Sequence, residues 1–300
     1  MTTTGFQGFG RWAGTAEVFS GDGAFLGNGA DSRLVQKLED GRTRIDVSFV
    51  GPFKHSGHYF ISDQGDHRIY QGPCNVGYAE TLAPGLVDAN AYWPDLGMSQ
   101  RFFLMNLPGA QIQLSLALMS RGERLLYVVV GQNDRVPDAG PAPAPSLVSG
   151  SSHDFAGDPT AGRHCLLLHR PGIWIGALSA IGPDRADLGA LAVEETVGAD
   201  LTMTTSGSRF DPHPRAWTMR SNGWEAYTLN SAAVAGSYSL SGGRALAGHF
   251  HHLEAGLRVW RREVVAHDGA QKAVVRLWYR GSARVGAEFG VLRFTPGDRW

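Results

Sequence analysis

The sequence predicts an all-β chain built as two tandem antiparallel barrels that arose by internal duplication. Three observations carry this. Apolar residues recur with a period of two through most of the chain, a Pro-, Ala-, Gly- and Ser-rich segment divides it near the middle, and glycine-marked turns of the first half return in the second at a constant offset. A period of two puts alternate side chains on opposite faces of a strand, so one face can be buried while the other is not.

In the first half, GRWAGTAEVF (10–19), DSRLVQKLE (31–39) and RTRIDVSFV (42–50) read as strands, the last two joined at Asp40-Gly41. Asp-Gly supplies the positive φ angles of a tight hairpin turn. QIQLSLALM (111–119) alternates almost perfectly, and LLYVVVG (125–131) follows a turn at 121–123. The second half reads as strands at 224–230, 244–253, 257–266, 272–280 and 284–294, with a hairpin at Asp268-Gly269. Short strands at this spacing predict eight to ten per half and an up-and-down barrel in each. A short helix fits 84–98 or 184–190.

The boundary segment, 136–163, contains Pro-Ala-Pro-Ala-Pro at 141–145 and has no apolar period, so it reads as an extended linker. Domains are therefore expected at 1–136 and 164–300, with the linker at 137–163. Gly10-x-Trp12-x-Gly14 recurs as Gly172-x-Trp174-x-Gly176, a shift of 174 − 12 = 162. Gly77, Gly97, Arg121-Gly122, Gly131 and Pro137 meet Gly236, Gly256, Arg280-Gly281, Gly290 and Pro296, all shifted by 159 (281 − 122, for example). Four glycines on one diagonal, with Arg and Pro, mark a duplication with a three-residue indel early in the repeat.

A net charge of −1 argues against nucleic acid as a partner. No apolar run reaches the length of a membrane span, and the N-terminus has neither a basic nor an apolar leader region, so a cytoplasmic location is expected. Cys74 and Cys165 fall one in each half without CxxC spacing, which excludes a zinc ribbon and favours two thiols over a disulfide. No GxSxG, P-loop, HExxH or dinucleotide-loop motif occurs, and no cofactor is expected.

A Gly-x-Trp opening the first strand of an antiparallel meander, twice in one chain, resembles the lipocalin-like (calycin) superfamily. More narrowly, it resembles duplicated double-barrel bacterial proteins of uncharacterised type. The resemblance implies two lipocalin-like barrels enclosing a small apolar molecule. It also implies that Trp12 and Trp174 plug the closed ends, with Arg121 or Arg124, and Arg280 or Arg284, packed across them. The secretory leader and disulfides of extracellular members are missing, which argues against transport outside the cell.

Barrels of this size hold packed side chains or one small ligand, so functional groups should be inward-facing polar residues. His58 with Tyr78 and Glu80 forms the candidate acid/base set: Tyr78 and Glu80 share a face, and burial would raise the carboxyl. Tyr59, Arg101, Gln111 and Gln113 are candidate ligand contacts, and Tyr92-Trp93-Pro94 reads as a loop at the barrel mouth. In the second half His249 and His251 share a strand face, with His252 on the other. The pair is a candidate for ligand contact or a surface pair. A metal would need a third ligand such as Glu225 or His213, and no metal is assigned. Arg258, Trp260 and Arg262 share a face, as do Arg276, Trp278 and Arg280, and both rows are expected to stack outside the barrel.

The expected activity is that of a cofactor-independent enzyme acting on a hydrophobic small molecule or secondary metabolite, as a cyclase, isomerase or lyase. The alternatives are a non-catalytic carrier for a lipid, pigment or similar ligand, and an interaction module with solid barrels. A homodimer is allowed. The first barrel is the one expected to keep a cavity.

Overall fold

The computed structural model describes residues 8–109, 111–137, 168–223 and 226–297. It falls into two compact units, Met1–Gly150 and Ser151–Trp300. The linker expected at 137–163 lies, apart from Pro137, outside the described residues, as do Cys165 and Glu225.

The first unit is a ten-strand meander: β1 (Gly10–Ser20), β2 (Phe25–Lys37), β3 (Thr43–Val50), β4 (Lys54–Asp63), β5 (His67–Gln71), β6 (Val76–Ala83), β7 (Leu86–Trp93), β8 (Met98–Asn106), β9 (Ile112–Arg121) and β10 (Arg124–Val136). Each strand pairs antiparallel with the next, and β10 closes onto β1 from Arg11↔Val136 to Ser20↔Tyr127. The second unit repeats the plan: β11 (Gly172–Ile181), β12 (Asp187–Val197), β13 (Thr202–Thr205), β14 (Arg215–Gly223), β15 (Ala226–Asn230), β16 (Val234–Ser241), β17 (Ala245–His252), β18 (Leu257–Val265), β19 (Gln271–Arg280) and β20 (Ala283–Pro296). β20 closes onto β11 from Gly172↔Pro296 to Ile181↔Ala287. Closure leaves neither sheet with an open edge. Among the described residues no helix is long and apolar enough to cross a membrane.

The two windows open to helix are strand instead. Residues 86–93 alternate and form β7, followed by one 3₁₀ turn at Pro94–Leu96, and 184–190 runs into β12. The duplicated turn glycines keep their backbone shape: Gly122 and Gly281 sit at φ +58° and +59°. Strand register is conserved as well, since Gln113↔Asn133 in the first barrel corresponds to Lys272↔Leu292 in the second at the same offset.

Trp12 and Trp174 are almost completely buried and are the largest side chains of their first strands. The guanidinium groups over them are not the expected ones. Arg135 lies 6.0 Å above the Trp12 ring and Arg170 lies 5.8 Å above Trp174. Arg121, Arg124, Arg280 and Arg284 flank the β9–β10 and β19–β20 turns. In the first barrel that turn is at the far end, because the start of β10 pairs with the end of β1.

The interiors differ more than the backbones. Ala79 and Ala91 of the first barrel correspond, at offset 159, to Tyr238 and Phe250, whose rings stack at 5.8 Å. Leu104, Gln113, Ala117, Met119 and Val129 correspond to Glu263, Lys272, Arg276, Trp278 and Glu288. In the second barrel, Lys272 Nζ donates to Glu195 Oε2 (2.6 Å) and Glu263 Oε2 (2.7 Å). Arg261 bonds Glu195 and Glu263, Arg276 bonds Glu195, and Trp278 Nε1 donates to Glu288 Oε2 at 3.0 Å. Three carboxylates thus face three cations, all buried. Arg276 and Trp278, expected outside, are inside; Arg258, Trp260 and Arg262 take the opposite face, with Arg262 4.3 Å over the Trp260 ring.

Burial alone would raise the Glu195 carboxyl, but Arg261, Lys272 and Arg276 outweigh it and hold the group well below its ordinary 4.5. Burial also opposes ionisation of Asp211, yet Arg215 and His252 bring it down to about 2. Both folded-state values lie below the unfolded ones, so their stabilisation is complete above about pH 4.5 and is lost as the pH falls from there towards 2. Glu195→Gln strands part of a buried cation cluster and should cost about 3–5 kcal/mol in denaturant unfolding. It should also flatten the loss of stability between pH 4.5 and 2. An unchanged midpoint at pH 7 would contradict the network's role.

Candidate ligand-binding cavity

Alternation fixes which residues face the first barrel's interior. Asp31, Arg33 and Val35 of β2, Ile45, Val47 and Phe49 of β3, and His55, Tyr59 and Ile61 of β4 point in. So do Phe102 and Leu104 of β8, and Gln113, Ser115, Ala117 and Met119 of β9. Together they bound a cavity of about 150 Å³. The corresponding space in the second barrel is reduced to about 20 Å³ beside Asp211, His252 and Trp278.

Two apolar clusters bracket the first cavity. Trp12, Val35, Ile45, Ile61 and Tyr70 form one, at the end where β1 begins, and Trp12 Nε1 donates to Gly8 O at 2.9 Å. Cys74, Trp93, Met98, Ala117 and Met119 form the other, with Phe53, Tyr59 and Leu96 against it. Trp93 meets the His55 ring edge-on at 4.5 Å and the Tyr59 ring at 6.1 Å, and its Nε1 donates to Gln100 Oε1 at 2.9 Å.

Several polar lining groups are paired or held neutral. Asp31 accepts from Arg33 Nη2 at 2.6 Å and from Asn133 Nδ2 at 2.9 Å, so its charge is already neutralised. Burial pushes the phenols of Tyr59 and Tyr70 far above their ordinary value, which keeps both as neutral donors. Burial lowers His55, leaving it neutral near pH 7. Burial also pushes the Cys74 thiol up to about 11, and its Sγ donates to His58 O at 3.2 Å. Such a wall offers shape, apolar surface and neutral hydrogen bonds.

Of the candidates read from the sequence, Tyr59, Trp93 and Gln113 line the cavity. His58, Tyr78 and Glu80 do not. Their neighbour Tyr59 lines the cavity and their neighbour Ala79 is buried in the core, so strand alternation puts all three on the outer face. His58 pairs across from Asp46 with its ring near Phe60, and Tyr78 is 53% exposed. His58, Tyr78 and Glu80 therefore do not meet inside the barrel. Tyr92 is exposed on the same outer face, Arg101 bonds Asn90 and Asp88, and Gln111 sits exposed before β9. On β17, His249 and His251 are exposed on the outside, His249 stacking on Trp260 at 5.8 Å. His252 is the buried one, its Nδ1 2.6 Å from Asp211 Oδ2. His213 is also near Asp211, at 3.5 Å, but largely exposed. Among the described residues no group of three or more His, Cys, Asp or Glu is placed to hold a metal. The sequence reading passed over Asp31, Arg33, Arg68 and Asn75. Only the parity of Ile45, Ile61 and Val35 with them could have found the strand residues, and Asn75 lies in a connection where no parity applies.

No protein-family model matches the chain, and no curated protein matches it. Among solved structures, it is similar to a protein of unknown function from the DUF3598 family of Nostoc punctiforme PCC 73102. The TM-score is 0.57 at 12% identity, over 96% of this chain and 97% of that one. It is also matched by an S-type phycobiliprotein lyase from Guillardia theta, at a TM-score of 0.34 and 8% identity, over 44% of this chain and 90% of that one. Of these two, only the first likeness extends to a shared fold.

Because Asp31 balances Arg33 inside the wall, Asp31→Asn should destabilise the first barrel by about 3 kcal/mol. Adding Arg33→Met should restore most of the loss. Chemical unfolding of the single and double variants measures both.

Proposed function

We propose that the chain is a binding protein whose first barrel encloses a small, largely apolar molecule and whose second barrel is a filled structural partner. The observation that carries this reading is the contrast between matched positions. Where the second barrel has Tyr238, Phe250, Arg276 and Trp278, the first has Ala79, Ala91, Ala117 and Met119, and the last two line a cavity of about 150 Å³. Empty apolar space is costly in a folded core, about 24 cal/mol per Å³ in a well-studied lysozyme series, so a guest that fills it stabilises the fold.

Binding without chemistry fits the wall better than catalysis. The lining carboxylate Asp31 is committed to Arg33 and Asn133, the phenols are neutral, and the acid/base candidates stand outside. An enzyme of the cyclase, isomerase or lyase kind would need an inward group poised to move a proton.

Toluene, which matches a cavity of this size, should raise the thermal midpoint of the wild-type chain in a concentration-dependent way. Ala117→Phe, which places a ring in the same space, should raise the midpoint by itself and remove the response to toluene. A toluene effect that persists in Ala117→Phe, or none in the wild type, would overturn the reading.

A further inference from the structure

One end of the first-barrel cavity carries buried polar atoms that the fold leaves without partners. Asn75, in the connection between β5 and β6, is 1% exposed, lines the cavity, and its Oδ1 accepts no hydrogen bond. His55 lines the same cavity, and its Nε2 is likewise buried and unpartnered. The backbone brings the two together. Phe60 pairs with Gln71, and Cys74 packs on Gly57 so closely that an added Cβ would sit 2.7 Å from Cys74 Cβ. The chain entering Asn75 therefore runs beside β4 at Gly57, two residues from the inward-facing His55. The Trp93 ring, edge-on to His55, supplies an adjoining apolar wall.

Native proteins rarely bury a hydrogen-bonding atom without a partner, and such atoms in a cavity wall mark where a guest would bond. The guest's charge is limited by the cations nearby. Arg33 is taken by Asp31 at 2.6 Å, and Arg68 faces Asp63 at 3.5 Å at the Trp12 end. A carboxylate would have to compete with both. An ammonium would meet a neutral histidine and an amide oxygen, and the carboxylate that acts on His55, Asp95, is exposed to water, which screens it. Size sets the other limit, because a cavity of about 150 Å³ lined by apolar side chains accommodates one benzene ring.

Resting on the binding reading above, we propose that this cavity takes a neutral single-ring molecule bearing a hydroxyl group, the ring against Trp93 and the apolar wall, the hydroxyl on Asn75 and His55. A hydroxyl satisfies both unpartnered atoms at once. It donates to Asn75 Oδ1 and accepts from His55 Nε2–H, the neutral tautomer that presents a donor there. A ring without the hydroxyl leaves both atoms as they are.

The probes are phenol, toluene and benzoate, titrated calorimetrically at pH 7.5 into the full chain and into Asn75→Ala and His55→Phe. Phenol should bind roughly tenfold more tightly than toluene, the size of a hydrogen bond made to an otherwise unsatisfied buried group. Benzoate should bind more weakly than either. Each substitution should reduce phenol to the level of toluene while leaving toluene within about twofold. His55→Phe keeps an aromatic ring edge-on to Trp93, so it decides the matter should Asn75→Ala not fold. The proposal is overturned if phenol gains nothing over toluene in the wild type, if its advantage survives both substitutions, or if benzoate binds best. Toluene binding that Ala117→Phe abolishes, without any advantage for phenol, would remove the hydroxyl site and leave the cavity reading intact. Failure of all three probes to bind would remove both.

Discussion

The closed hydrogen-bond ladder is the constraint from which the rest follows. Once β10 pairs with β1, every residue of the ten strands is committed to the inside or the outside, and a shift by one residue would exchange the two sets. The interior of such a barrel has a volume set by strand number and tilt, not by the side chains that enter it. The sequence can then fill that volume or leave it for something else. In the second barrel the inward positions fill it; in the first they do not.

How the second barrel is filled is instructive. A purely apolar filling would avoid the desolvation that Glu195, Glu263, Glu288, Arg261, Lys272 and Arg276 all incur. Buried ion pairs of this kind frequently contribute little net stability against well-packed hydrophobes. What the network supplies is geometry. Glu195 on β12 bonds residues of β18 and β19, so it fixes the strand opposite against those two. Any rearrangement of the interior would leave at least one charge without its counterpart. A guest-sized void could open beside this network only by breaking several charged hydrogen bonds at once.

The parts of the fold that were legible in the sequence are those that depend on backbone chemistry. Gly122 and Gly281 hold the same left-handed conformation in matching turns, so their recurrence survived when strand residues changed. Trp12 and Trp174 were readable for the same reason, being fixed by position at the head of each barrel. The interior was less legible because parity is a relative signal. On β4, His55, Tyr59 and Ile61 share the inner face with Gly57, and Ile61 alone would have assigned His58 to the outside. On β6 the inner residues, Gly77, Ala79 and Thr81, are small, while the conspicuous Tyr78 and Glu80 face out. Chemical prominence drew attention to the wrong face. Arg135 over Trp12 was missed because that stacking depends on register between strands far apart in sequence (135 − 12 = 123), which no local pattern encodes, whereas Arg170 stands only four residues before Trp174, ahead of the first strand.

The same small residues explain why the first barrel can be both stable and hollow. Ala79, Ala89 and Ala91 let the walls approach Trp12 and Tyr70, so the Trp12 end is sealed by aromatic rings packed on alanines. The opposite end carries Trp93 and Phe53, set around Ala117 and Met119. Between these two seals the wall is built mainly from Val, Ile, Phe and Leu, with Asp31 and Arg33 internally balanced. A guest entering that space trades water for apolar contact along most of its surface and meets neutral polar groups at one edge. For a guest of the proposed kind, selectivity then comes from where those groups stand, because Asp31 already balances Arg33 in the wall.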